Sequence, residues 1–342
     1  METMTPLLCR ASLRRPVAVL STLGLLTGLA ACGGDDGSSA EASDDQSRAG
    51  GSAALTWPMT GEPVDGELPA YPVMAVKIDN TEASEPQLGL GDADLVTEEL
   101  VEGGSTRLAI FFHASLPDLT GPVRSMRASD IGIVKPAEAV LIASGGAGPT
   151  RSRIDGANID TYLEGEAGYE RADDRSAPYN LMMALPELAE TLDDVEAPPP
   201  YLPFGDNPMD GGKPAESFDV AFSGGHTTSW QYEKDTGYTR PGSFADPDDD
   251  FVADNVLVLR VKIGDAGYKD PAGNPVPETI YEGTGDAMLF HDGEVVEGTW
   301  SKDELKSPLS LETGSGDELS VPPGKTWIEL VPVDEGSVSI KK

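Results

Sequence analysis

Short apolar or alternating runs punctuate the chain from residue 73 onward. Val73-Met74-Ala75-Val76-Lys77-Ile78, Asp94 to Val101, Arg107 to His113 and Ala139 to Ala143 predict strands. Ser129 to Val134 predicts a short helix, and Leu181 to Leu192, preceded by Pro178 and Asn180, predicts another. Glu196 to Pro214 is dominated by Pro and Gly, which suit neither a helix nor a central strand. Beyond it the helical period disappears. Phe218 to Phe222, Val256 to Ile263, Ala287 to Phe290, Val295 to Trp300 and Trp327 to Val333 read as short strands. Asp292-Gly293 has the chemistry of a two-residue hairpin turn. The pattern predicts an α+β or α/β N-terminal domain with a mixed sheet (57–197), a Pro/Gly linker (198–214) and a smaller, mainly β C-terminal domain (215–335).

The first residues follow a different logic. Arg10, Arg14 and Arg15 precede an uncharged apolar run, Val17 to Leu29, of thirteen residues, followed by Leu29-Ala30-Ala31-Cys32. A bilayer-spanning helix needs roughly 20 apolar residues, so this run is too short to cross. Charge, apolar run, small residues and cysteine stand in the order of a bacterial lipoprotein signal. The expectation is a signal peptide at 1–31, acyl chains on Cys32, and the extracytoplasmic face of the membrane as location. Cys9 leaves with the signal, so the mature chain keeps one cysteine and no internal disulfide can form. Residues 32–56 hold Gly, Ser, Ala and Asp with almost nothing large and apolar, the composition of a flexible tether.

Charge narrows the field further. Cleavage before Cys32 leaves 21 basic and 58 acidic residues, a net of −37. Such a surface repels phosphates, so nucleic acid is excluded as a general partner. There is no GxSxG, Walker loop, HExxH or CxxC. His113, His226 and His291 are far apart in sequence. Gly224-Gly225-His226-Thr227-Thr228-Ser229 offers either a Ser/His pair or a turn. Asp246-Pro247-Asp248-Asp249-Asp250 lacks the spacing of a calcium loop and reads as a solvated segment. No cofactor and no metal are expected.

One local exception stands out. Seven of the ten arginines of the mature chain fall between 107 and 175: Arg107, Arg124, Arg127, Arg151, Arg153, Arg171 and Arg175. With Lys135 they make eight basic residues against ten acidic ones, so this stretch is far less acidic than the rest. Arginine holds carboxylate or phosphate through paired hydrogen bonds, and it braces internal carboxylates equally well. Gly121 to Asp130 carries Arg124 and Arg127 into a helix start, and Asp174 to Asn180 is a second polar loop. Upstream, Glu98 to Arg107 places carboxylates beside a Gly turn, with Glu98, Leu100 and Glu102 on one strand face and Glu99 on the other.

These motifs resemble the YerB-like bacterial lipoproteins, a family whose domain has no assigned function. The resemblance runs through Met59 to Val64, Val76 to Asn80, Pro86 to Leu90, Ala93 to Val96, Val101 to Arg107, Gly121 to Ser125, Asp174 to Asn180, Glu297 to Trp300 and Pro323 to Ile328. Two positions depart from it: Tyr179 where the family favours His, and Ser105 where a β-branched apolar residue is usual. It implies an α/β domain, a mainly β domain and a lipid anchor, and no reaction.

Three functional readings follow. The first is a non-enzymatic binding or scaffold lipoprotein whose partner is a cell-wall component or an envelope protein, with Arg107, Arg124, Arg127 and Arg175 as anion contacts and Asn180 as an orienting group. The second is a hydrolase of envelope glycan or peptide using Glu102 and Asp130. The third is a structural module whose arginines are matched internally.

Overall fold

The computed structural model describes residues 55–341 apart from 207, 208, 210, 271 and 272, and these described residues form one compact unit. The expected signal peptide, Cys32 and the expected tether as far as residue 54 lie outside the described residues.

The apolar runs of the first half become strands because both of their faces are covered. Strands β1 (Met74–Asn80), β2 (Leu95–Leu100) and β3 (Thr106–Phe112) are buried at every position. That is why they read as near-continuous hydrophobic stretches rather than strict alternations. β3 pairs antiparallel with β1 on one side and β2 on the other, while β4 (Val140–Ala143) and β5 (Thr161–Leu163) extend the sheet in parallel from β1. Helix α1 (Asp130–Val134) precedes β4, and α2 (Gly148–Gly156) joins β4 to β5. α2 buries only Thr150 and Ile154, so no apolar stripe announces it.

The helix expected over 181–192 is a strand and a shorter helix. Leu181–Met183 forms strand β7 against β6 (Tyr169–Arg171), and only Leu185–Ala189 coils, as α3, with Pro186 in its first turn. The apolar run there is shared between two elements, and the proline fixes where the second begins.

The second half is almost wholly strands. After β8 (Lys213–Pro214) come β9 (Ser217–Ala221), β10 (Thr227–Glu233) and β11 (Gly237–Thr239), then the long β12 (Asn255–Lys269) and β13 (Pro275–Ile280). β14 (Gly283–His291) and β15 (Glu294–Lys302) form a hairpin closed by Asp292 and Gly293, both at positive φ (49° and 76°), as an Asp-Gly turn requires. β16 (Ser310–Thr313), β17 (Thr326–Pro332) and β18 (Ser337–Ile340) complete the chain.

One twelve-stranded sheet runs through both halves in the order β16-β15-β14-β12-β17-β2-β3-β1-β4-β5, with β13 on β12 and β8 on β15. β17 lies between β12 and β2, parallel to each, and joins the two halves. A four-stranded sheet, β11-β10-β9-β18, packs on one face through Phe218, Val220, Phe222, Trp230 and Tyr238. The other face is covered by Ile131, Ile133, Val134, Tyr201 and Leu202.

Candidate anion-binding site

Alternation along β1, β2 and β3 sends Lys77, Asp79, Glu99 and Arg107 to one face of the sheet. Arg107 sits opposite Asp79 on β1 and opposite Glu99 on β2. Along the edge of β1 runs the irregular segment that starts at Gly121, Val123 pairing with Ile78, and its continuation to α1 brings Arg124, Ser125 and Arg127. Glycine suits position 121, where the segment starts, because its φ of 151° is one that L side chains rarely adopt and a Cβ would stand 3.0 Å from the Leu181 carbonyl oxygen.

The deepest part is a buried triad. Lys77 Nζ lies 2.8 Å from Glu99 Oε1 and 2.7 Å from Asp130 Oδ1, and all three side chains are fully buried. Burial and the neighbouring Asp130 raise the Glu99 carboxyl above its usual range, with Lys77 opposing them. Asp130 Oδ2 accepts the Arg127 backbone N–H at 2.7 Å, which anchors the start of α1.

Above the triad lie three guanidiniums, two of which meet at the Ser125 carbonyl. Arg107 Nη1 donates to it at 2.8 Å and Arg127 Nη1 at 3.3 Å. Arg127 also grips Glu102 Oε2 through Nε (3.0 Å) and Nη2 (2.7 Å). Arg124 Nε is 3.0 Å from Asp79 Oδ2, and Arg107 Nη2 is 4.0 Å from the same oxygen. Three cations therefore share two carboxylates, Asp79 and Glu102. Arg107 is pushed down to about 10 by burial and by Arg127 and Arg124, against the pull of Asp79 and Glu102. The side chains of Arg124 and Arg127 are 21% and 14% exposed, and the Ser125 and Ser144 hydroxyls meet at 3.3 Å beside them.

The remaining candidates are spread out. Arg175 donates to the Ser84 and Pro86 carbonyls at 3.3 and 2.5 Å, which fastens its loop. Asn180 Oδ1 accepts from Arg171 at 2.5 Å, and Arg171 also pairs with Glu164. The 174–180 loop nonetheless reaches the cluster: Arg124 donates to the Pro178 carbonyl at 3.3 Å and lies 5.0 Å over the Tyr179 ring. Arg153 makes a two-pronged pair with Glu278.

Glu102 and Asp130 occupy different surroundings. β2 ends at Leu100 and the chain turns through Glu102–Gly104, so Glu102 leaves the strand face expected to carry it and meets Arg127 near the surface. Asp130 has no exposed surface and faces Lys77. Sequence reasoning passed over Lys77 and Asp79. Their signal was present: two charges inside an apolar strand buried on both faces must find partners.

The other motifs serve local structure. In the 224–229 stretch His226 bonds Glu98 while Ser229 bonds Asp219, so no Ser/His pair forms. His113 is buried against Trp57 and Tyr71, and His291 Nδ1 meets Asn255 Oδ1 at 2.9 Å. In the 246–250 run Asp249 accepts the Gly89 and Gly91 N–H groups, stapling two loops, and Asp250 pairs with Arg240.

Comparison with known proteins places this geometry in a family. Residues 59–197 match the N-terminal domain, and 218–328 the C-terminal domain, of the family described as "Protein of unknown function (DUF3048)". The chain is 26% identical over 301 residues to the Bacillus subtilis (strain 168) protein named "Putative lipoprotein YerB", covering 83% of this chain and 89% of that one. The crystal structure of Bacillus subtilis YerB superimposes with a TM-score of 0.69 at 24% identity, covering 83% of this chain and 99% of that one, a likeness of fold. With both family domains matched in order along it, the chain belongs to the DUF3048 family.

Proposed function

We propose that this chain is a lipid-anchored protein of the cell envelope that works by binding rather than catalysis. On this reading the Arg107, Arg124 and Arg127 cluster takes an anionic group, a carboxylate or phosphate, of a wall component or envelope partner. The observation that carries it is the gathering of three guanidiniums beside only two carboxylates, with the Arg124 and Arg127 side chains still 21% and 14% exposed to a ligand. In a chain otherwise so acidic, a partly exposed group of guanidiniums is a local exception at which an anion can be held by paired hydrogen bonds. Arg175 and Asn180 act on this reading by shaping the loop over Arg124. The sequence resemblance to a lipoprotein supports the anchored location, and among the described residues no helix is long and apolar enough to cross a membrane.

Retention on purified cell wall is the test. Arg124→Ala with Arg127→Ala should abolish it while circular dichroism shows an intact fold, and Arg→Lys at both positions should restore part. Unchanged retention in the folded Ala variant would overturn the reading.

A further inference from the structure

The opposite face of the large sheet carries a second polar assembly that the arginine cluster does not use. Glu98, next to Glu99 on β2 and therefore pointing the other way, is fully buried beneath the four-stranded sheet. Its Oε1 accepts from Asn80 Nδ2 (2.9 Å), Thr106 Oγ1 (2.6 Å) and His226 Nε2 (2.6 Å), and its Oε2 from Thr228 Oγ1 (3.2 Å). Burial works against a charged His226, but the charge and hydrogen bond of Glu98 outweigh it and hold the imidazole above its usual protonation range. Nε2 is thus committed inward, and among the described residues nothing engages Nδ1.

Above this pair lies an open cavity of about 200 Å³. His226, Thr228 and Ser243 line it, together with Arg240, whose guanidinium is 3.9 Å over the Trp327 ring and pairs with Asp250 through Nη2. No Asp or Glu is among the residues that line it. In a chain with 59 acidic residues against 24 basic ones, a cavity walled by a histidine, an arginine and hydroxyls is the reverse of the surface around it. Ligand sites for drug-sized molecules start at roughly 300 Å³, so the guest is smaller, or is the end group of something larger.

We propose that this cavity binds a small carboxylate, held between the His226 ring and the Arg240 guanidinium and oriented by the Ser243 hydroxyl. The assignment is independent of the arginine cluster on the opposite face. A carboxylate has two oxygens to meet two cationic donors, and the lining offers no negative group to repel it.

The test is a titration of the whole chain, in detergent, with acetate and with N-acetylalanine, and with the amide of N-acetylalanine as the uncharged control. The ¹⁵N resonances of the His226 ring are the readout. Saturable shifts with either carboxylate and none with the amide are expected. Saturation by N-acetylalanine alone would mark the guest as a chain-terminal carboxylate, and saturation by both would mark it as any small acid. Ser243→Leu, which fills the cavity from an adjacent turn, should weaken binding at least tenfold. A linear response, an equal response to the amide, or unchanged affinity in folded Ser243→Leu would overturn the proposal. Should that variant fail to fold, the titration of the unmodified chain decides alone.

Discussion

Glu98 and Glu329 face each other directly across adjacent parallel strands, both without solvent exposure. Trp230 Nε1 donates to Glu329 Oε1 at 2.8 Å, and the donors around Glu98 keep that carboxyl below its usual range. Burial, and then the charge of Glu98, drive Glu329 well above its own. The two neighbouring carboxyls are therefore pushed in opposite directions, Glu98 towards the carboxylate and Glu329 towards the acid form.

The acid form of Glu329 has a measurable consequence. Unfolding lets its carboxyl ionise near the ordinary value, so the native state binds more protons above that pH and stability falls as pH rises. Glu329→Gln mimics the neutral acid and removes this loss. Urea unfolding at pH 5 and pH 8 should show a smaller drop for the variant than for the parent chain. An equal drop would mean that Glu329 is ionised in the folded protein.

His226 contributes the same sign from a different group. Its raised pKa gives stabilisation that is complete below about 6.5, the unperturbed value, and is lost as pH rises through the folded value. Glu98→Gln should return the imidazole towards or below 6.5, followed by NMR titration of the ring. A titration unmoved by that substitution would detach His226 from Glu98.

Lys77 is the reverse case of a charge that cannot be spared. Lys77→Met leaves Glu99 and Asp130 buried without their cation, and removal of one partner from such a group costs about 3–5 kcal/mol. Adding Glu99→Gln should recover part of the loss, because one of the stranded carboxyls becomes neutral. A single-variant loss under about 1 kcal/mol in chemical denaturation would contradict this account.

The anchor yields a test in cells. On the proposed reading Cys32→Ser removes the acyl-bearing position, so the protein should leave the membrane fraction, and mass spectrometry of the parent chain should find lipid on Cys32 at the mature N-terminus. Continued membrane retention of the variant would place the anchor elsewhere.

Much of the fold was legible in the sequence because burial on both faces writes itself as apolar runs, as in β1, β3 and β17. The hairpin at Asp292-Gly293 was legible because its backbone demands those residues. Strand β10 was not, since Thr227 to Glu233 is largely polar and only Thr228 and Trp230 are buried. α2 escaped for the same reason. The arginine cluster was visible as composition, but which arginines share a carboxylate depends on strand register, and Asp79 and Arg107 are set opposite each other only by the β1–β3 pairing. The Glu98–His226 contact joins residues 128 positions apart and left no local trace.

The position of β17 also constrains how the protein comes into being. Until residues 326–332 have been made, the β2 edge and the β12 edge that it joins stand open, each a bare row of backbone donors and acceptors. The first half emerges early yet waits for residues 326–332, more than two hundred positions after β2, to close its sheet. A chaperone that shields strand edges would act in that interval, and a chain truncated before residue 326 should accumulate as aggregate rather than as a working N-terminal fragment.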